Sequence, residues 1–231
     1  MTASEETKVS NPIKRLRFKP GTDLRAVDDL PYILQLAASL ESLRAAIRWF
    51  EYVSEADTEF RGRDIVITVI TGTGWCGETF CLLKRGVTAR TVKRSMLRGA
   101  KDLEILWDRI TSAEPDEMVR NVHRIRSNHF AHWNPKVFQN YVAWQSDKPE
   151  SEAFVESDSD GKFLNTRYTW PWPAFMYDLV GDPNGQENQE RALAMFREMG
   201  TLWFQTAGLI AHLIPILIQE RGLSLEEVAD S

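Results

Sequence analysis

The sequence predicts a mostly α-helical bundle with a small irregular insertion. Two observations predict it. Four long segments, 32–55, 89–111, 115–132 and 186–221, repeat apolar residues at helical spacing. No alternating rhythm of strands and helices runs along the chain, so a doubly wound sheet has little support. The 231 residues are 43% hydrophobic and 26% charged, enough for one sizeable domain, or one with an inserted subregion.

Composition narrows the function classes. Lys and Arg number 28 against 33 Asp and Glu, a net charge of −5, which argues mildly against a general nucleic-acid coat. The two cysteines, Cys76 and Cys81, make neither a disulfide framework nor a metal quartet, so a cytoplasmic location is expected. The N-terminus is polar and carries no apolar core of a signal peptide. The longest apolar run, 207–218, holds His212 and Pro215 and falls short of the ~20 residues a membrane span needs, so no membrane partner is expected.

In order, residues 1–29 read as a flexible arm with a basic cluster at Lys14, Arg15, Arg17 and Lys19. A single helical domain follows over 30–222, with an insertion at about 136–182, and 223–231 form a tail. Over 32–55, Ile33, Leu36, Leu40, Leu43, Ile47 and Phe50 mark one helical face. Residues 64–83 are ambiguous. Asp64 to Ile70 is β-branched and could be a buried strand. Gly72, Gly74 and Gly77 then match the spacing of a dinucleotide-binding loop. That loop needs a second strand and an acid about 20 residues on. The chain supplies Lys84, Arg85, Arg90, Lys93, Arg94 and Arg98 instead. The expectation is a buried helix whose small residues permit close packing, with a dinucleotide-binding enzyme as a remote alternative.

Residues 89–111 read as one helix. Arg90, Arg94, Arg98 and Lys101 then share a face, either as a solvated stripe or as a track for RNA phosphates. Residues 115–132 start well at Pro115-Asp116-Glu117, with acids at the positive end of the dipole, and Asn134-Pro135 ends the segment. Met118, Val122, Ile125 and His129 form its inward stripe. In the insertion, Val137-Phe138, Tyr141-Val142 and Trp144 look strand-like, and a short hairpin or ordered loop is expected. Residues 171–182 suggest a short aromatic helix. Residues 186–221 read as a long helix distorted at Pro215 and ended by Gly222.

Chemistry concentrates at 122–134. Three of the four histidines, His123, His129 and His132, fall there with Arg124, Arg126 and Asn128. Histidine is the side chain that exchanges protons near neutral pH. On an ideal helix Arg126 and His132 lie about 120° apart and ~9 Å along the axis. They meet only if the helix ends or bends. Arg124, Asn128 and His132 fall at four-residue steps, and Arg126 and His129 are three apart. Histidine can move the proton of an RNA 2′-hydroxyl, and arginine can hold the phosphate. The same residues also suit a merely capped, hydrogen-bonded helix. With arginines beside them and no cysteine near, His129 and His132 make a poor metal site, and neither metal nor cofactor is expected.

Arg126-Ser127-Asn128-His129-Phe130-Ala131-His132 resembles the motif of HEPN domains, in particular the abortive-infection subset, where an arginine and a polar residue precede a Phe-Ala-His ending. The resemblance covers about ten residues closely. It implies an antiparallel helical bundle and a metal-independent endoribonuclease of a toxin–antitoxin or antiviral system. It makes Arg126 and His132 the catalytic pair, formed across a homodimer, with an antitoxin protein as a possible partner. Ser127 stands where Asn, Asp or His is usual, and Asn128, one place late, could substitute. His129 and Arg124 would support the pair. A non-catalytic HEPN-like module that binds nucleotide, RNA or a protein is the alternative.

Overall fold

The computed structural model describes residues 13–16, 29–55, 61–130, 135–146, 155–156, 167–168, 171–182, 185–221 and 225–228. The packed body is all-α. Among the described residues its seven helices are α1 (Leu30–Glu55), α2 (Arg61–Thr88), α3 (Lys101–Thr111), α4 (Glu117–Ile125), α5 (Pro135–Ser146), α6 (Pro171–Val180) and α7 (Gln186–Glu220). Two small antiparallel ladders accompany them. β1 (Ile13–Leu16) pairs with β4 (Leu225–Val228), and β2 (Val155–Glu156) pairs with β3 (Arg167–Tyr168). The β1–β4 register sets Lys14 opposite Glu227 and Arg15 opposite Glu226, so these two segments run side by side.

Helix α2 is the centre, packed against α1, α3, α4 and α7. The β-branched run that could have been a strand is helical from its start. Val66, Val69 and Ile70 are buried, as are Cys76, Phe80 and Leu83 further along. The helix runs unbroken through the three glycines, so no dinucleotide loop exists there. Each glycine instead admits a bulky neighbour. A Cβ on Gly72 would stand 2.8 Å from the Trp203 ring of α7, and one on Gly77 would stand 2.9 Å from Arg126 Cβ. At Gly74 a Cβ would overlap the Phe130 ring. Between α2 and α7 the buried polar groups satisfy one another, as burial demands. Trp203 Nε1 donates to Thr73 Oγ1 (3.3 Å), and Thr73 donates to Met199 Sδ (3.6 Å). Thr206 gives its proton to the Leu202 carbonyl (2.7 Å), so the Cys76 thiol donates to the Thr206 oxygen at 3.4 Å. Burial pushes the Cys76 thiol up to about 12, which leaves it unreactive at neutral pH. By length and composition alone, Asp64–Thr88 and Gln186–Glu220 could each cross a membrane; here much of their apolar surface is buried against other helices of the bundle.

Two expected elements take another form. The single helix over 89–111 is divided. Helix α2 closes at Ala89-Arg90, where Arg90 adopts φ 60° and the Thr91 N–H reaches back to the Gly86 carbonyl. A 3₁₀ turn occupies Arg94–Leu97, Gly99 takes φ 91°, and α3 starts only at Lys101. Arg90, Arg94, Arg98 and Lys101 therefore do not form a stripe on one helical face. Arg94 is held by carboxylates, bidentate to Asp108 at 2.8 and 3.0 Å and 3.1 Å from Glu104. In the insertion, the strand-like residues form α5. Val137 and Tyr141 are buried, with Trp144 half-buried beside them, at steps of four and three. That period is helical, and it outweighs the β-propensity of the residue types. Trp144 and Tyr141 lie against Tyr177 of α6, at ring separations of 4.9 and 6.1 Å.

Because α2 has no room at Gly74, Gly74→Ala should destabilise the fold by about 1–3 kcal/mol, the usual range for overpacking. Gly200→Ala, where a Cβ meets open space on α7, should be neutral or stabilising by about 0.5–1 kcal/mol. Urea midpoints of the two variants against the parent check both.

Candidate functional site

Asp116 caps α4 by accepting the Val119 N–H at 2.9 Å. Arg109 of α3 ties the same carboxylate to Glu198 of α7. Met118, Val119, Val122 and Ile125 bury the inner face. At Arg126 the α-helix gives way to one π-helical turn, Arg126–Phe130, and the Arg126 N–H is shared between the Val122 and His123 carbonyls. π turns are rare and recur at functional sites. Here the turn places Phe130 over Gly74, edge-to-face on Trp75 at 5.3 Å.

Arg126 lies over Gly77, and its Nε donates to Glu78 Oε1 at 2.7 Å. The hydrogen bond to Glu78 pushes the arginine's pKa further up, so the group is a fixed cation. Both side chains are about one-third exposed, 30% and 36%, so the pair contributes only about 0–1 kcal/mol. They face a cleft of about 640 Å³ between α1, α2 and the π turn. Trp75, Cys81 and Arg85 line it from α2, Gln35, Ser39 and Ser42 from α1, and Phe130 from the π turn.

The remaining polar residues face α6. Buried His129 donates from Nε2 to Asp178 Oδ2 at 2.9 Å and packs edge-to-face on Phe175. Asn128 also bonds to Asp178. Burial raises the Asp178 pKa, but the His129 and Asn128 hydrogen bonds and the charges of His129 and Arg124 outweigh it and hold the carboxyl below its usual range. Arg124 donates from Nη2 to the Leu179 carbonyl at 3.4 Å. Ser127 is exposed.

The segment thus has two polar sides, but not divided as ideal-helix angles predict. Arg124 and Asn128 share a side as expected. His129 is buried, as its place on the inward stripe with Met118, Val122 and Ile125 predicts, and it turns to Asp178 rather than to Arg126 because Asp178 offers it a carboxylate. His132, the second member of the expected pair, lies outside the described residues, as do Ala131, Trp133 and Asn134. Sequence reading missed Glu78 and Asp178. A signal existed for the first: Glu78 is the only acid between Asp64 and Asp102, and a lone carboxylate on an apolar helix needs a partner. Asp178 gave none, since its pairing spans 49 residues. The comparisons return no relatives: no family model, curated protein or solved structure matches the chain. What the fold defines is an all-helical protein.

His123 sits half-buried against Phe80. Burial, then the charges of Lys84 and Arg126, hold its pKa below the ordinary 6.5. The folded state therefore prefers the neutral ring. Its contribution to stability is fully present above pH 6.5 and is lost as pH falls through the lowered folded value. Urea unfolding at pH 7.5 and 5.5 should show a smaller loss of stability on acidification for His123→Gln than for the parent.

Proposed function

We propose that the protein is a metal-independent endoribonuclease of HEPN type, with Arg126 and His132 as its catalytic pair. The observation that carries this reading is the setting of Arg126. It is a fixed cation at a π turn, on the wall of an open cleft, held by a carboxylate about one-third exposed in a pair worth about 0–1 kcal/mol. A phosphodiester can displace so weak a partner and gain a charge-assisted contact. His132 follows six residues later in the motif, and its chemistry is assigned by resemblance.

In this reaction the 2′-hydroxyl gives its proton to a histidine base, and its oxygen forms a bond to phosphorus. The P–O5′ bond breaks, and a histidine acid protonates the leaving oxygen. The products are a 2′,3′-cyclic phosphate and a 5′-hydroxyl. Arg126 stabilises the charge that develops on the phosphoryl oxygens. One histidine cannot be both base and acid in one step. A homodimer that pairs the two copies of the motif would supply the second, and two-fold pairing is the commonest assembly of soluble proteins. Placement in a toxin–antitoxin or antiviral system, with an antitoxin protein as partner, belongs to the same reading.

One observation favours a second reading, a non-catalytic HEPN-like module that binds nucleotide, RNA or a protein. Glu78 already occupies Arg126 and adds a negative charge to the cleft that would receive the phosphate.

Incubation of the protein with total RNA in EDTA separates the two. Cleavage should proceed, leave cyclic phosphate ends and spare DNA. His132→Ala and Arg126→Ala should each lower the rate by about 10²-fold or more. Activity lost in EDTA and restored by Mg²⁺ would rule out this mechanism. Sedimentation should give a dimer at micromolar concentration, and a monomer would remove the shared site.

A further inference from the structure

We propose that α1 and α7 form a self-docking face, through which the chain pairs with a second copy of itself about a two-fold axis. The inference goes beyond the ribonuclease reading and does not rest on it. The face holds no residue of the 122–134 segment, so it is a second contact beside the one that would pair the motifs. Its apolar part comes from α7. From Gly200 to Ile218 that helix has no Asp, Glu, Lys or Arg, although Phe204 and Gly208 face outward. Leu193, Gly200, Phe204, Gly208 and Ala211 repeat at steps of seven, four, four and three, so they share one side. Leu193 and Phe204 are 56% and 54% exposed. A Cβ on Gly200 or Gly208 would meet nothing within 4 Å, so the backbone there is open to a close neighbour. Beside them a groove of about 360 Å³ runs between Ala207 and Ala211 of α7 and Leu40 and Ile47 of α1, with Arg44 and Arg48 also on its wall. An exposed ring and an uncovered groove on one face are the two halves of a contact, and a two-fold pair needs both on the same surface.

Charge names the second copy as the occupant. On α1, Arg44, Arg48, Glu51 and Glu55 stand at steps of four, three and four, all exposed and on one side. Their signs invert about the midpoint, between Trp49 and Phe50. An antiparallel copy centred there sets Arg44 opposite Glu55 and Arg48 opposite Glu51, each twice over. Among the described residues Arg48, Glu51 and Glu55 have no ion pair, while Arg44 holds Glu41 at 2.8 Å. With Arg197 and Glu41 added, three cations meet three anions, a neutral face on a chain of net charge −5. The same axis suits α7. The two helices run antiparallel, since Arg221 behind α7 donates to Asp29 ahead of α1, and Phe50 meets Trp203 edge-to-face. The α1 midpoint therefore lies level with Leu202 and Trp203. An axis there brings Phe204 of each copy to the open backbone at Gly200 of the other, and Leu193 to Ala211 beside the groove. Helix α7 then supplies the apolar centre and α1 the charged rim, the usual anatomy of an interface. Exposed pairs are weak singly, so the rim sets register and orientation while the centre supplies affinity.

Thr201 is exposed beside that axis, and a cross-link there reads this contact alone. Thr201→Cys, treated as the full chain with a short bismaleimide, should give a covalent dimer. The parent is the control, with Cys76 buried and Cys81 in the cleft beside Arg126. Arg48→Glu or Glu51→Arg added to Thr201→Cys should each lower the yield by about fivefold or more, because each sets like charges opposite one another twice. The two reversals combined should restore it, a rescue that a damaged fold would not give. If Thr201→Cys does not fold, sedimentation at high micromolar concentration decides, and Phe204→Glu should give a smaller average mass than the parent. No covalent dimer beyond the control, a yield unmoved by single charge reversal, or no rescue in the combined variant would each overturn the face. Absence of the cross-link together with binding to phosphatidylcholine vesicles would assign the face to a lipid surface instead.

Discussion

The structure depends on the absence of three Cβ atoms on α2, one on the side that meets α7 and two on the side that meets the π turn. Gly72 lets Trp203 of α7 lie against the helix backbone, Gly74 admits Phe130, and Gly77 admits Arg126. Glycine inside a helix costs about 1 kcal/mol relative to alanine. Three of them in six residues must return more than that through packing, and a large indole at 1% exposure is that kind of return. On the other side of the helix, Gly74 and Gly77 let the π turn sit against the backbone in the same way. The candidate site and the core therefore rest on one kind of constraint, missing Cβ atoms on one helix.

That constraint also decides which polar residue can do what. Arg126 and His129 are three residues apart, yet they end in opposite environments. Arg126 lies over Gly77 with its charge on a partly exposed carboxylate. His129 is buried on Asp178. The first arrangement is a weak, exposed ion pair that a charged ligand can exchange. The second is a buried polar contact, costly to break because each partner would be left unsatisfied. Arg126 therefore keeps a partner that another anion could replace, and His129 holds the π turn after α4 on α6.

The basic residues after α2 show the opposite outcome. They are concentrated in sequence but dispersed in space, since Arg90 and Gly99 take left-handed backbone and break the helix that would have aligned them. Arg94 illustrates the consequence, held by Asp108 and Glu104. A run of like charges states composition, and only the backbone path states whether the charges share a face.

Much of the fold was legible in the sequence. The apolar periods of α1, α4 and α7 determined those helices and their inward residues, because a 3.6-residue repeat has one economical burial. For α5 the period was present at Val137, Tyr141 and Trp144, but the β-prone residue types obscured it. The glycine spacing was legible and its meaning was not, because one pattern serves a phosphate loop and a close helix contact alike. The motif by itself paired Arg126 with His132 and made His129 a supporting residue. Tertiary structure alone decided that Glu78 holds Arg126 and that Asp178 holds His129. Those partners lie 48 and 49 residues away, and a pairing over such distances comes from packing and not from any local pattern.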